Sequence, residues 1–195
     1  MNTKPLKIAV LASTKATDLQ RIIDEINAGN LNAKIEVLIS DKKDAYALTR
    51  AEQNNIEAIF LDPKGLTREE YDKKIMEILE AKNVDLILLI GYMRILSKDF
   101  VRKYKNRIMN IHPSLLPAFG GGMDKEVHKA VLERGCKITG CTLHFVDESV
   151  DGGPIIIQKS CEVDKNDTVD TLKAKVQKLE QDALVEGIKL FSENK

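Results

Sequence analysis

Two polar side chains suited to acyl transfer lie close together at residues 110–117, in the segment N-I-H-P-S-L-L-P. On a strand, Asn110 and His112 project to the same side, because side chains alternate along the chain. Pro113 disfavours a helix here and keeps His112 extended. An amide can donate to a developing oxyanion and an imidazole can transfer a proton. The pair is a candidate acyl-transfer site, although a lone strand histidine is more often a packed structural residue.

A carboxylate lies about forty residues further on, in the turn V-D-G-G-P at residues 150–154. Asp151 precedes two glycines and Pro154, a pattern that by itself indicates only a sharp turn. His144 shares a strand face with Thr142 and either points toward the same crevice or is packed. His128 is predicted to lie on a surface helix without a catalytic role.

Metal binding is not expected, because the histidines and cysteines have neither zincin nor zinc-ribbon spacing.

The three cysteines are Cys136, Cys141 and Cys161. Their odd number and the absence of a C-x-x-C pair predict reduced thiols and a cytoplasmic location. The N-terminal residues M-N-T-K-P contain no signal-peptide core, and no apolar run approaches the ~20 residues that span a bilayer.

The composition is that of a globular α/β domain. Of 195 residues, 43% are hydrophobic, enough to form a core, and 30 basic residues balance 30 acidic ones. A neutral chain has no overall field that attracts nucleic acid or an anionic membrane. We therefore expect small-molecule partners, with any anionic ligand bound by a local site.

Short apolar runs alternate with amphipathic stretches along most of the chain. Strands are predicted at residues 6–12, 34–40, 56–61, 85–91, 107–111, 139–146 and 154–163, and helices at 17–28, 44–54, 67–82, after Ser97, 125–134 and 168–192. The alternation predicts a doubly wound, mostly parallel sheet with a C-terminal antiparallel extension and a terminal helix. Thr67 and Glu70 have the spacing of a capping box. We expect one domain over residues 1–195, with a substrate half near 1–100 and a catalytic half near 91–195.

The loop after the first strand is a second candidate site, because ligands of open α/β sheets bind beyond the carboxyl ends of strands. Its sequence at residues 13–20 is S-T-K-A-T-D-L-Q. Thr17 and Gln20 have capping-box spacing, so a helix N-terminus that can bind phosphate is predicted there, with Lys15 adding charge. An ordinary strand-to-helix turn is the alternative, and the loop has no Gly-x-Gly nucleotide motif.

Three segments together resemble the phosphoribosylglycinamide formyltransferases of purine biosynthesis. They are G-Y-M-R-I-L-S at residues 91–97, N-I-H-P-S-L-L-P at 110–117 and T-G-C-T-L-H-F-V-D-E-S-V-D-G-G-P-I-I at 139–156. The resemblance extends from the first strand to the terminal helix. It implies a Rossmann-like formyltransferase fold and transfer of a formyl group from 10-formyltetrahydrofolate, a co-substrate, to the amine of a phosphorylated glycinamide riboside, without a metal.

The resemblance also implies roles for individual residues. Asn110, His112 and Asp151 correspond to the family's catalytic residues. Met93, Arg94, Ile95, Leu96, Val150 and Asp151 correspond to its folate site. Ser13, Thr14, Lys15, Ala16, Thr17, Asp18, Arg68, Gln177 and Glu180 correspond to its substrate site, with Arg68 near the phosphate and the last two near the ribose and the glycine amine.

Two segments depart from the family pattern. Where relatives carry G-x-G-S-N, this chain has T-K-A-T-D at residues 14–18, so backbone access to a phosphate is expected to be poorer. Lys15 is expected to compensate with its charge. The second departure is F-G-G-G-M-D at residues 119–124, which predicts a mobile substrate lid.

Other members of the same fold remain alternatives. Formyltetrahydrofolate deformylases resemble this chain around the same residues but carry H-H-S-F-L-P and a regulatory N-terminal domain. Methionyl-tRNA formyltransferases add a basic C-terminal domain, which a neutral chain ending in a helix does not suggest. Transfer to another small amine, or a non-catalytic folate-binding sensor, would also fit the altered first loop. The sequence is compatible with a monomer or a homodimer.

Overall fold

The computed structural model describes residues 4–193. Seven strands and six helices occur in these residues. In chain order they are β1 (Leu6–Leu11), α1 (Leu19–Asn27), β2 (Ala33–Ser40), α2 (Tyr46–Gln53), β3 (Ala58–Phe60), α3 (Arg68–Ala81), β4 (Leu86–Leu89), α4 (Lys98–Lys103), β5 (Ile108–His112), α5 (Lys125–Glu133), β6 (Ile138–Phe145), β7 (Ile155–Glu162) and α6 (Val169–Glu193).

The strands form one sheet in the order β3-β2-β1-β4-β5-β6-β7. β1 pairs in parallel with β2 and β4, and β2 pairs in parallel with β3. β6 and β7 pair antiparallel. The predicted doubly wound, mostly parallel sheet with an antiparallel C-terminal extension is therefore confirmed.

The chain divides into two compact units, with the boundary inside β5, between Met109 and Asn110. The core of the first unit lies around β1 and β4. All four residues of β4, L-I-L-L, are buried, as are Ile8 to Leu11 of β1. A strand covered on both faces needs a continuous apolar sequence, which is why this run was recognisable without any alternation.

Helix α3 shows how a local signal fixes an element. Thr67 accepts a hydrogen bond from the backbone of Glu70, whose side chain accepts one from the backbone of Thr67. The predicted capping box is therefore confirmed. It satisfies two of the donors that every helix start leaves without intrahelical partners.

In the second unit, the long helix α6 packs on β6 and β7. Gly187 allows the close approach, because a side-chain carbon at this position would overlap the side chain of Leu143. Leu172, Val176, Leu184 and Ile188 supply the buried face of α6. None of the helices among residues 4–193 combines the length and the apolar character that crossing a membrane requires.

Candidate active site

The second unit brings three sequence-predicted side chains together at the end of β5. His112 is the last residue of the strand and Asn110 lies two residues before it. Asp151 lies in the connection between β6 and β7. His112 Nδ1 is 3.3 Å from Asp151 Oδ2, and Asn110 Nδ2 donates to Asp151 Oδ1 over 3.4 Å. The amide, the imidazole and the carboxylate therefore form one cluster, called here the trio.

Backbone groups of the glycine-rich loop at residues 119–122 also contact the trio. The carbonyl oxygen of Phe119 is 3.0 Å from His112 Nε2, and the N–H of Gly121 donates to Asp151 Oδ2 over 2.9 Å. Both ring nitrogens of His112, which is 4% exposed, thus face hydrogen-bond acceptors. A doubly protonated imidazole can donate to both at once. The predicted mobility of this loop remains a prediction.

Two side chains on β6 and β7 hydrogen-bond to the segment after His112. The sequence did not single out either of them for this role. Thr142 Oγ1 donates to the carbonyl of Ser114 over 2.7 Å and accepts from the N–H of Leu116 over 2.9 Å. Gln158, paired with Thr142 across the strands, donates to the carbonyl of Leu116 over 2.9 Å. Only the shared strand face of Thr142 and His144 hinted at this role, because cross-strand register is not visible in the sequence.

The remaining two histidines are both buried. His144, on β6, is 2% exposed and contacts the trio, with Nε2 3.1 Å from Asn110 Nδ2 and 3.7 Å from Asp151 Oδ1. His128 is on a helix, as predicted, but its side chain is 1% exposed. The expectation that His128 lies at the surface is therefore wrong, because it occupies the buried face of α5 with Val127 and Val131.

The loop after β1 begins its helix differently from the prediction. The N-cap of α1 is Asp18, without a side-chain cap, so the capping box of Thr17 and Gln20 is wrong. The side chain of Gln20 instead donates to Asp24 over 3.0 Å and accepts from Arg50 over 2.8 Å. These two partners, of which Arg50 is distant in sequence, replace the cap that the spacing suggested.

The first loop nevertheless keeps one feature of a glycine-containing loop. Ala16 has φ +43, in the left-handed region that glycine usually occupies. Thr14 lies against Gly91, and the N–H of Ser13 donates to the carbonyl of Gly91 over 3.0 Å. The carbonyl of Lys15 accepts from Arg50 over 3.3 Å, while the Lys15 side chain is exposed. Backbone hydrogen bonds therefore hold the loop, and the Lys15 side chain remains exposed.

The segment at residues 91–97 follows β4. Met93 and Ile95 are exposed, Leu96 is buried, and the Arg94 guanidinium lies 4.5 Å from the ring centre of Tyr71. The N–H of Met93 donates to Ser13 Oγ over 2.9 Å. The backbone connects this segment to the first loop, while two apolar side chains remain accessible.

A buried carboxylate fixes the end of this segment. Asp72 accepts from the N–H of Ser97, the N-cap of α4, over 2.5 Å. Burial raises the pKa of Asp72, against the opposing effects of the hydrogen bond from Ser97 and the positive charge of Arg94. Asp72 therefore acts as an anchor of the segment.

The other sequence-predicted site residues lie apart along the chain. Arg68 is the first residue of α3 and is exposed. Gln177 and Glu180 lie three residues apart on α6 and are partly exposed. Val150 is exposed and precedes Asp151, whose φ is +53. The roles that the resemblance implies for these residues remain predictions.

The chemistry available to the trio is group transfer to or from a carbonyl carbon. Asn110 offers N–H donors, and His112 offers a proton shared with Asp151. Among residues 4–193 there is no group of three or more His, Cys, Asp or Glu side chains arranged to hold a metal ion.

Comparison with known proteins identifies the family. A family model described as formyl transferase matches residues 6–188. The phosphoribosylglycinamide formyltransferase of Haemophilus influenzae is 40% identical over 190 residues, covering 97% of this chain and 88% of that protein. The trifunctional purine biosynthetic protein adenosine-3 of Gallus gallus is 41% identical over 193 residues, covering 98% of this chain. This chain spans only 19% of the length of that longer relative.

Solved structures agree with the sequence comparison. The glycinamide ribonucleotide transformylase 1 of Symbiobacterium toebii is similar with a TM-score of 0.92 and 41% identity, over 97% of this chain and 89% of that one. The phosphoribosylglycinamide formyltransferase of Coxiella burnetii has a TM-score of 0.92 at 35% identity, over 98% of this chain and 89% of that one. The resemblance seen in the sequence motifs is confirmed, and the chain belongs to the formyl transferase family.

Proposed function

We propose that this protein transfers the formyl group of 10-formyltetrahydrofolate to the amine of 5'-phosphoribosylglycinamide, a step of de novo purine biosynthesis. The observation that carries the proposal is the convergence of Asn110 and His112 on Asp151, whose carboxylate oxygens lie 3.4 Å from Asn110 Nδ2 and 3.3 Å from His112 Nδ1. The amide and the imidazole supply donors for an oxyanion, and the carboxylate supplies a proton acceptor. The similarity to named transferases over nearly the whole chain supports the choice of substrates.

The proposed reaction is direct transfer. The glycinamide nitrogen attacks the formyl carbon, a C–N bond forms, and negative charge collects on the formyl oxygen. Asn110 and a protonated His112 stabilise this oxygen, since N–H donors directed at developing charge lower the barrier. Asp151 holds the imidazolium and takes the amine proton through a water. When the bond to the folate nitrogen breaks, that nitrogen takes up a proton in place of the one that the amine released, so the transfer is balanced.

The remaining assignments follow the family resemblance. The proposed folate contacts are Met93, Arg94, Ile95, Leu96, Val150 and Asp151. The proposed substrate contacts are Ser13, Thr14, Lys15, Ala16, Thr17, Asp18, Arg68, Gln177 and Glu180. A cytoplasmic location belongs to the same proposal, since Cys136, Cys141 and Cys161 are not joined in disulfides within residues 4–193, as is usual in a reducing compartment. The proposed working form is one formyltransferase domain, as a monomer or a homodimer.

An assay with 10-formyltetrahydrofolate, run with and without phosphoribosylglycinamide, tests the proposal. Formylated amine that depends on the acceptor is the expected product. Formate released at the same rate without the acceptor would identify a deformylase instead, and no turnover in either assay would favour a binding protein. We expect Asn110→Ala and His112→Ala each to lower kcat by about 10²-fold or more, because each removes an oxyanion donor.

Lys15 tests the altered first loop. We expect Lys15→Ala to raise the KM for phosphoribosylglycinamide about tenfold and to leave the KM for the folate unchanged. The reason is that the charge of Lys15 is proposed to compensate for the poorer access of the loop backbone to the phosphate. Lys64→Ala, which removes another exposed cation of the same unit, is the control. Equal KM values in parent and Lys15→Ala would show that the lysine does not bind the phosphate.

A further inference from the structure

A buried imidazole that the proposed reaction does not use, that of His144, contacts the trio. His144 Nδ1 is 2.9 Å from the carbonyl oxygen of Phe145, and Nε2 is 3.1 Å from Asn110 Nδ2. The partners of its two ring nitrogens thus lie outside the glycine-rich loop that contacts His112 and Asp151. His144, on β6, therefore contacts the Asn110 amide on the neighbouring strand β5.

The protonation of His144 follows from its two partners. A carbonyl oxygen can only accept a hydrogen bond, so Nδ1 carries the hydrogen that is donated to Phe145. In the neutral ring, Nε2 then carries no hydrogen and can only accept a hydrogen bond. Burial lowers the pKa of His144, and the nearby His112 acts in the same direction. The contact with Phe145 and the charges of Asp151 and Asp147 oppose this effect without reversing it. The ring is accordingly neutral near pH 7.

A neutral His144 with a bare Nε2 determines which end of the Asn110 amide faces it. An N–H satisfies the lone pair, whereas a flipped amide would set an oxygen against it and leave two acceptors in contact. The nearby Asp151 carboxylate, 3.4 Å from Asn110 Nδ2, favours the same orientation. One N–H of the amide is thus held by His144. The other N–H makes only the 3.4 Å contact with Asp151, so it is the one available to the formyl oxygen.

We propose that His144 is a positioning residue that fixes the orientation of the Asn110 amide, so that an N–H and not the C=O is presented to the reacting oxygen. This inference rests on the proposed formyl transfer for its kinetic consequences. Its structural content, a neutral His144 accepting from Asn110, does not depend on the identity of the substrates.

Substitution of His144 provides the kinetic test. His144→Ala should lower kcat at least tenfold and change both KM values less than threefold, because a misplaced catalytic group weakens the transition state and not ground-state binding. His144→Gln offers an amide oxygen near the place of Nε2 and should restore kcat to within about fivefold of the parent. His128→Ala, which removes another buried histidine of the same unit, should leave kcat unchanged. If His144→Ala retains kcat within twofold of the parent, the proposal is wrong.

A double-mutant cycle separates positioning from a general structural effect. If His144 acts through Asn110, then His144→Ala should cost less than about twofold in an Asn110→Ala background. The same loss of kcat in both backgrounds would overturn the proposal, because His144 would then act independently of the amide.

¹⁵N NMR of the histidine rings gives a readout that needs no turnover. We expect His144 at pH 7.5 to have a protonated Nδ1 and an unprotonated Nε2, with the Nε2 signal moving in Asn110→Ala and staying in place in His128→Ala. A protonated Nε2 in the parent would overturn the proposal, even if formyl transfer is observed. Failure of the parent to transfer formyl, with these signals as expected, would instead reject the proposed function and leave the His144–Asn110 contact established.

Discussion

At the scale of single residues, Asp151 organises the candidate site. Its two carboxylate oxygens contact His112, Asn110 and the N–H of Gly121. Its φ of +53 places it in the left-handed region, where aspartate and asparagine are tolerated better than most residues. The backbone conformation and the carboxylate are therefore both requirements of this position.

Asp151→Asn tests the charge while keeping the shape. We expect kcat to fall about 10²-fold or more, because asparagine neither stabilises the imidazolium of His112 nor accepts a proton. Thermal unfolding should change little, since asparagine also tolerates a positive φ. Asp170→Asn, which removes an exposed carboxylate paired with Lys125, is the control and should keep parental activity. Parental kcat in Asp151→Asn would remove the carboxylate from the mechanism.

The prediction of the trio from sequence had a definite limit. The pairing of Asn110 with His112 followed from strand periodicity, since two residues apart on a strand means the same face. Asp151 alone indicated a turn, and only the family resemblance connected it with His112. Thr142 and Gln158, which hydrogen-bond to the segment after His112, were not identified, because their pairing depends on the register between β6 and β7.

At the scale of elements, the loops after β1 and β4 are in close contact. Gly91 has φ +61, and a side-chain carbon added to it would overlap Thr14 Oγ1. Both positions lie just beyond the carboxyl ends of neighbouring parallel strands. The contact therefore links the first loop to the segment at residues 91–97.

Gly91→Ala should lower the free energy of unfolding by more than the ~1–2 kcal/mol that a left-handed alanine costs, because it also displaces Thr14. Gly29→Ala is the matched control, since Gly29 has φ +76 and open space around it. Chemical denaturation of both variants measures the difference. Adding Thr14→Gly to Gly91→Ala should recover the part of the lost unfolding free energy that is due to the overlap. Equal losses of unfolding free energy in Gly91→Ala and Gly29→Ala would show that no overlap exists.

Helix α5 provides a pH-dependent prediction through the buried His128. Burial lowers the pKa of His128, helped by Lys173 and opposed by Asp124. The unfolded chain therefore takes up a proton near pH 6.5 that the folded chain resists, so stability is full above pH 6.5 and is lost as the pH falls below it. Between pH 7.5 and 5.5, His128→Leu should lose less unfolding free energy than the parent in urea titrations. Equal losses of unfolding free energy in the parent and in His128→Leu would show that His128 does not contribute to the pH dependence of stability.

At the scale of the whole molecule, the chain has a net charge of zero, so any charged ligand must be bound by a local site. The proposed transfer uses an amide, an imidazole and a carboxylate, and none of these groups needs a metal to stabilise an oxyanion or move a proton. We therefore expect full formyl-transfer activity after dialysis against EDTA, within about twofold of the untreated protein. Activity lost to EDTA and restored by a divalent ion would require a different mechanism.

The sequence by itself determined the order and type of the elements, because apolar periodicity and capping are local properties of the chain. It also determined the family, because the three motifs at residues 91–97, 110–117 and 139–156 occur together and in this order. Only the tertiary structure decided that Gln20 bonds to Arg50 and Asp24 and does not cap α1, that His128 is buried, and that His144 faces the amide of Asn110. Except for Asp24, the partners that decide these outcomes are distant in sequence, and they compete with local bonding in ways that residue spacing does not encode.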